Sequence, residues 1–311
     1  MKKVLVTGAT GLIGSSLLEV LTQGNFKITA FTRTMSADII SRAKTEENVL
    51  WMQGDLNSLA DCKEIVYNQD IIFHLAHKNA PLTCDLDWPA DARLNLIPTL
   101  NLIQAVQESG NKPHIIYPSS GGAVYGPVKE KIPILESHAC NPENSYGIQK
   151  FMAEHYLRVA AQRGFLTASV LRIANVYGWL VSPSRKQGFI GTALYQTLAG
   201  QPLRIIGNPG NIRDYVHMDD VNKAFLLCVK PSLDFDIINI GTGQGTSVSL
   251  VVQILEKILN KDLDKKLENS IEAKRLSDWC VLNIEKAWTD LGWKPEIDIE
   301  SGIRKMILKV K

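Results

Sequence analysis

None of the five cysteines, Cys62, Cys84, Cys140, Cys228 and Cys280, stands in a C-x-x-C pair. Scattered in this way they predict reduced cytosolic thiols rather than a disulfide frame or a zinc site, and no structural metal is expected. Long hydrophobic runs are lacking as well. In the N-terminal MKKVLVTGATGLIG the apolar run is only VLV before glycines intervene, which is too short for a signal peptide core, and no stretch approaches a membrane span. A cytoplasmic, soluble protein without a membrane partner is the expectation. Charge of one sign is missing too: Lys plus Arg number 34 against 32 Asp plus Glu, so the balance gives no reason to expect nucleic acid or an anionic surface as partner. Internal repeats and low-complexity tails are absent. What is present is length, 311 residues, enough for one large or two modest domains and a substantial core.

Short apolar runs alternate with amphipathic ones. KKVLVT is followed by SSLLEVLTQG, and KITAFT, NVLWMQ, DIIFHLA and HIIYPSS are separated by helix-like segments such as LNLIPTLNLIQAVQESG. Near-continuous apolar strands between helices are the pattern of a parallel sheet covered on both faces, so the fold class is α/β, a Rossmann-type doubly wound domain. Phe31, Trp51 and the Val/Ile/Leu runs belong to its core. After residue 178 the pattern loosens. Residues 1–178 read mainly as the dinucleotide-binding domain and 179–311 mainly as a smaller α/β substrate-binding domain, with elements interleaved between them.

The first strand runs into Thr7-Gly8-Ala9-Thr10-Gly11-Leu12-Ile13-Gly14, and a helix-periodic segment follows. Glycines at this spacing let the backbone turn tightly and approach a pyrophosphate, while the N–H groups and dipole of the next helix meet its charge. Gly8, Thr10, Gly11, Leu12, Ile13 and Gly14 are therefore candidate cofactor-binding residues. Asp55 and Leu56, in Gly54-Asp55-Leu56, place a carboxylate near the adenine edge. Leu75, Ala76 and His77, in HLAH, end a strand at the same edge of the sheet. The second strand ends Phe31-Thr32-Arg33 with no acid to bond a ribose 2′-hydroxyl, and Arg33 leans towards NADP with NAD left open.

Tyr146 and Lys150 lie four residues apart after the capping composition Asn-Pro-Glu-Asn-Ser, which puts phenol and ammonium on one helix face. A lysine charge beside the phenol, and the charge of an oxidised nicotinamide, would both favour phenolate over a phenol of ordinary pKa near 10. Tyr146 and Lys150 are thus expected to be both catalytic and cofactor-binding.

TGATGLIG, Asp55, HLAH, SSGGAVYG, YGIQK, LRIANVYG, IRDYVHMDDV, NIGTG and LGWKP occur in the order of the extended short-chain dehydrogenase/reductases and cover nearly the whole chain. Within that superfamily the chain resembles the UDP-hexose 4-epimerases of the NAD-dependent epimerase/dehydratase family. The resemblance implies that Tyr146 takes the C4 hydroxyl proton while hydride passes to tightly bound NAD or NADP, and that hydride then returns to the opposite face of a 4-ketosugar. It assigns Asn175, Arg213 and Arg275 to the diphosphate of a UDP-linked sugar, and Gln187 and Leu282 to the hexose. At the frame of Leu282, a residue smaller than tyrosine admits an N-acetylated sugar. Guanidinium forks suit phosphate oxygens, although Arg213 could instead pair with Asp214. His217 and Asp220 are read as structural.

In the epimerases the hydroxyl that meets the C4 oxygen lies four residues before the tyrosine of V-Y-G, which here is Gly121. An extra glycine in the loop returns Ser120 to the catalytic position, with Ser119 or a backbone group as substitutes. Tyr125 is expected to wall the sugar pocket. The related 4,6-dehydratases and decarboxylases carry an acid where this chain has Gly122-Ala123, so elimination lacks its acid. An NADPH-dependent ketosugar reductase shares the Tyr/Lys pair and stays open, and a non-catalytic dinucleotide-binding protein would commonly lose one of the pair. The family usually forms homodimers through two helices, here the segments around 96–108 and 146–163.

Overall fold

Alternate residues of each apolar run face opposite ways, and different helices cover the two faces. The computed structural model describes all residues except 44, 79–80, 82, 184–187, 232, 269–276 and 310–311. In chain order the strands are β1 (Lys2–Thr7), β2 (Phe26–Thr32), β3 (Val49–Gln53), β4 (Ile71–His74), β5 (His114–Ser120), β6 (Thr167–Ile173), β7 (Asn175–Tyr177), β8 (Leu203–Ile206), β9 (Ile212–Arg213), β10 (Tyr215–His217), β11 (Phe235–Ile240), β12 (Thr246–Ser247), β13 (Lys265–Glu268) and β14 (Trp279–Cys280). The helices are α1 (Leu12–Thr22), α2 (Ala37–Ala43), α3 (Leu59–Val66), α4 (Trp88–Asp91), α5 (Ile97–Ser109), α6 (Ser145–Gln162), α7 (Phe189–Leu198), α8 (Met218–Leu227), α9 (Val248–Leu259), α10 (Glu285–Leu291) and α11 (Ile299–Leu308).

Seven strands form one parallel sheet in the order β11-β6-β5-β4-β1-β2-β3. Val4, Val6 and Phe73 pack beneath α1 and α8, against Leu17, Leu21, Val221 and Phe225. Leu5, Ile72 and Ile115 pack on the other face, against Ile65, Leu102 and Leu157 of α3, α5 and α6. Burial on both faces is why these strands carry no polar alternation. A third apolar cluster joins α7, α9 and α11 around Ile190, Leu194, Val251 and Ile303. The sheet therefore receives its last strand, β11, from the later part of the chain. No helix among the described residues is long and apolar enough to cross a membrane.

The chain order reverses between β1 and β4. A crevice opens at the carboxyl ends of such neighbours because their following loops part to opposite sides, and this is where doubly wound sheets bind ligands.

Candidate active site

β1 ends at Thr7, and the chain turns at Gly8 with φ +69°. A Cβ on Gly8 would come within 2.7 Å of the Ala76 nitrogen, so the turn lies directly on the loop after β4. Gly14 closes the other side, since its Cβ would sit 2.2 Å from the Gly8 carbonyl oxygen. Helix α1 starts from Gly11 without a side-chain cap. Its first N–H groups and positive dipole end are left for an anion.

Here the crevice is a cavity of about 420 Å³. Gly8, Thr10 and Gly11 border it, with Arg33, Thr34 and Ser36 after β2, Asp55, Leu56 and Asn57 after β3, and Leu75, Ala76, His77 and Lys78 after β4. Leu12, Ile13 and Gly14 form the first turn of α1. Of the sequence-derived cofactor residues, Gly8, Thr10, Gly11, Arg33, Asp55, Leu56, Leu75, Ala76 and His77 thus border one space, joined there by Thr34, Ser36, Asn57 and Lys78, while Leu12, Ile13, Gly14, Tyr146 and Lys150 do not line it. The close-packed glycine turn, the uncapped helix and the exposed Asp55 and Arg33 fit a dinucleotide.

The two histidines of HLAH diverge. His74 is buried with both ring nitrogens engaged, by the Thr7 hydroxyl at 2.9 Å and the Thr99 hydroxyl at 2.9 Å. Burial pushes its pKa down to about 3. A π-helical turn at Ala92–Leu96, between α4 and α5, brings Asn95 to accept the Lys78 N–H at 2.7 Å and so fixes the loop. His77 instead borders the cavity, with its ring edge-on to Tyr146 at 5.0 Å between centroids.

Helix α6 is locked at its start. The Asn144 side chain caps it by accepting the Gly147 N–H at 2.8 Å, and a Cβ on Gly147 would lie 2.6 Å from the Ala123 carbonyl oxygen, so the SSGGAVYG loop rests on the first turn. In this arrangement burial raises the pKa of the Tyr146 phenol, and the nearby Ser120 hydroxyl offsets part of that rise. The net direction is upward. Lys150 donates from Nζ to the Pro118 carbonyl at 2.8 Å and lies 5.9 Å from the centre of the Tyr146 ring. Burial pushes Lys150 down to about 7, partly offset by Glu154. Burial thus shifts both the phenol and the ammonium towards their neutral forms.

Glu154, one turn beyond Lys150, escaped the sequence reading although Y-x-x-x-K-x-x-x-E puts all three groups on one helix face. It is buried, pairs with Arg172 (Nη2 to Oε2 2.7 Å) and accepts the Ser119 hydroxyl. Arg172 also lies over the Tyr125 ring at 4.8 Å. Two expectations are corrected here. Tyr125 is 1 % exposed and its hydroxyl donates to Asn239 at 2.7 Å, so it belongs to the core and does not wall an open pocket. Leu282 is 0 % exposed and fills the space beside Gly121, where a Cβ would meet it at 2.6 Å, so it faces that glycine rather than an open hexose site.

Strand β7 pairs with β10, which sets Asn175 opposite Tyr215, and the Asn175 side chain donates to the Asp214 carbonyl at 3.2 Å. Neighbouring Arg213 donates to the carbonyls of Ile212 and Ser277 and forms no carboxylate ion pair among the described residues. Asp214 is spent elsewhere, accepting from the Thr242 N–H (2.7 Å) and hydroxyl (2.6 Å) and the Gly243 N–H (3.1 Å). Burial lowers the Arg213 pKa, as expected for a desolvated cation. Gln187 and Arg275 lie outside the described residues. His217 caps α8 by accepting the Asp219 N–H, and Asp220 accepts the N–H groups of Glu296 and Ile297.

Residues 4–241 match the model of the NAD dependent epimerase/dehydratase family. A dTDP-4-dehydro-6-deoxyglucose reductase of Escherichia coli is 30% identical over 314 residues, 99% of this chain and 97% of that protein. The UDP-glucose 4-epimerase of Thermotoga maritima, solved with UDP-glucose, superposes with a TM-score of 0.90 at 28% identity, covering 99% of this chain and 98% of its own. The Thermus thermophilus UDP-glucose 4-epimerase, solved with NAD, gives 0.87 at 26% identity over 98% and 97%.

Proposed function

The chain belongs to the NAD dependent epimerase/dehydratase family, and from that premise we propose that it is a nucleotide-sugar 4-epimerase, interconverting UDP-glucose and UDP-galactose or their N-acetylated forms. The observation that carries this reading is the placement of Tyr146 and Lys150 one helical turn apart on α6, with the Tyr146 ring against His77 at the edge of the dinucleotide cavity and Ser120 near the phenol. Tyr146 accepts the C4 hydroxyl proton and later returns it, while Ser120 holds the C4 oxygen in line. Lys150, when charged, favours the phenolate. A bound nicotinamide supplies the acceptor, and then the donor, of the C4 hydride. Asn175 and Arg213 are assigned to the diphosphate, Arg213 having no carboxylate ion pair among the described residues; Arg275 is the proposed second guanidinium and Gln187 the proposed hexose residue. The Gly122-Ala123 slot offers no acid for elimination, which weighs against a 4,6-dehydratase.

NAD is supported by the Thermus thermophilus complex. Arg33, exposed at the cavity where β2 ends without an acid, favours a second reading, an NADPH-dependent nucleotide-ketosugar reductase, and so does the Escherichia coli relative. Retention of Tyr146 and Lys150 weighs against a non-catalytic dinucleotide-binding protein. A homodimer is proposed through α5 and α6, where Ile148, Met152, Tyr156 and Val159 form an exposed apolar stripe; Leu157 and Ala161, by contrast, are buried against the sheet.

Incubation with UDP-glucose, UDP-galactose, UDP-GlcNAc and UDP-GalNAc, with and without NAD(P)H, tests the reading by product analysis. Interconversion without net oxidation supports the epimerase. Stoichiometric consumption of NADPH with a ketosugar substrate supports the reductase.

A further inference from the structure

The Nε2 atom of His77 is buried and has no hydrogen-bond partner. Six buried side-chain atoms share that condition among the described residues, and of their parent residues only His77 borders the dinucleotide cavity. A buried polar atom without a partner costs free energy that a bound group can recover. The contrast with His74 three residues earlier is informative, because both nitrogens of that ring are already occupied by threonine hydroxyls. Both His74 nitrogens are spent, whereas the Nε2 of His77, a residue bordering the cavity, is left without a partner.

Position narrows what that ligand group is. The Gly8–Gly11 turn and the start of α1 suit the pyrophosphate, and the loops after β2 and β3 suit the adenosine half. His77 lies across the reversal point from those loops, after β4, with its ring against Tyr146. A chain of groups leading from the pyrophosphate towards Tyr146 reaches the second ribose there. Accordingly we propose that His77 Nε2 hydrogen-bonds a hydroxyl of the ribose that carries the nicotinamide, making His77 a binding residue for the reactive half of the cofactor and a positioning residue between it and Tyr146. This rests on the dinucleotide reading of the cavity. Burial and the Lys150 charge hold His77 well below its ordinary pKa, so the ring stays neutral and keeps a lone pair or one N–H for such a bond.

The test is calorimetric binding of ADP, ADP-ribose and NAD to the full chain after charcoal removal of bound nucleotide, comparing wild type, His77→Ala and His77→Gln. ADP lacks the second ribose and serves as the internal reference. The expected result is unchanged ADP affinity, about tenfold weaker ADP-ribose and NAD binding in His77→Ala, and substantial recovery in His77→Gln, which restores a hydrogen-bonding group. Unchanged ADP-ribose affinity in His77→Ala overturns the proposal, as does an equal loss for ADP, which would mark a structural role in the turn. Failure of the wild type to bind ADP at all would instead overturn the dinucleotide reading, and the proposal with it.

Discussion

Ser119 donates its hydroxyl to the buried carboxylate of Glu154, and this leaves Ser120 as the serine whose hydroxyl is free to act on the nearby Tyr146 phenol. The two neighbours have opposite consequences when truncated. Ser120→Ala is expected to lower kcat by about 10²-fold or more with little change in stability. Ser119→Ala is expected to cost about 1 kcal/mol of stability, read from the urea midpoint, with kcat held within a few-fold. The reverse pattern would put the catalytic hydroxyl on Ser119.

Glu154 has a structural debt of its own. In Glu154→Gln the Arg172 guanidinium stays buried without its carboxylate, and breaking such a pair from one side costs about 3–5 kcal/mol. Denaturant unfolding at neutral pH measures this, and a loss below 1 kcal/mol would contradict the assigned burial and pairing.

Gly14→Ala places a methyl carbon 2.2 Å from the Gly8 carbonyl oxygen, which is backbone and cannot swing aside. Helix α1 must then lift from the turn. Dinucleotide affinity is expected to fall by about tenfold or more, the weight of one charge-assisted hydrogen bond to the pyrophosphate. Titration calorimetry with NAD checks it, and wild-type affinity would remove the turn from the binding site.

Lys150 gives a pH dependence of definite sign. Its pKa in the folded chain, about 7, lies below the ordinary lysine value of 10.5. Between those values the unfolded chain binds the extra proton, so stability rises with pH across that window and levels off above it. Relative to Lys150→Met, the wild type should gain unfolding free energy from about pH 7 towards pH 10.5. Matched urea denaturations at pH 7 and pH 9.5 test this, and a flat or opposite difference would show that Lys150 is not desolvated in this way.

The parts of the site that sequence reveals are those fixed by local geometry. Gly8, Gly11 and Gly14 follow a strand and open a helix, and Tyr146 and Lys150 share a helix face at a spacing of four, so both groups are legible from neighbours in the chain. The surroundings of Tyr125 and Leu282 are tertiary and so are not legible in the sequence. The tyrosine hydroxyl finds Asn239 from 114 residues away, and Leu282 fills a gap that exists only because Gly121 has no side chain. The choice between Ser119 and Ser120 is hidden for the same reason: Glu154 claims the first only once α6 lies against β5. Desolvation of Lys150 and Tyr146 is likewise a property of the packed site, which a spacing of four in the sequence does not reveal.

Tyr146→Phe keeps the ring that His77 contacts and removes the proton acceptor. Turnover is expected to fall by about 10²–10⁴-fold or to vanish, with dinucleotide binding preserved. Full activity would require another base.

The most direct test of epimerisation follows the hydrogen at C4. UDP-glucose carrying deuterium at C4 is incubated with the purified protein in ordinary water without added nicotinamide cofactor, and the products are read by mass spectrometry and NMR. The expected product is UDP-galactose with the deuterium retained at C4, because the same hydride leaves and returns within one active site. Deuterium lost to solvent, or turnover that appears only as added NADPH is consumed, would contradict that expectation.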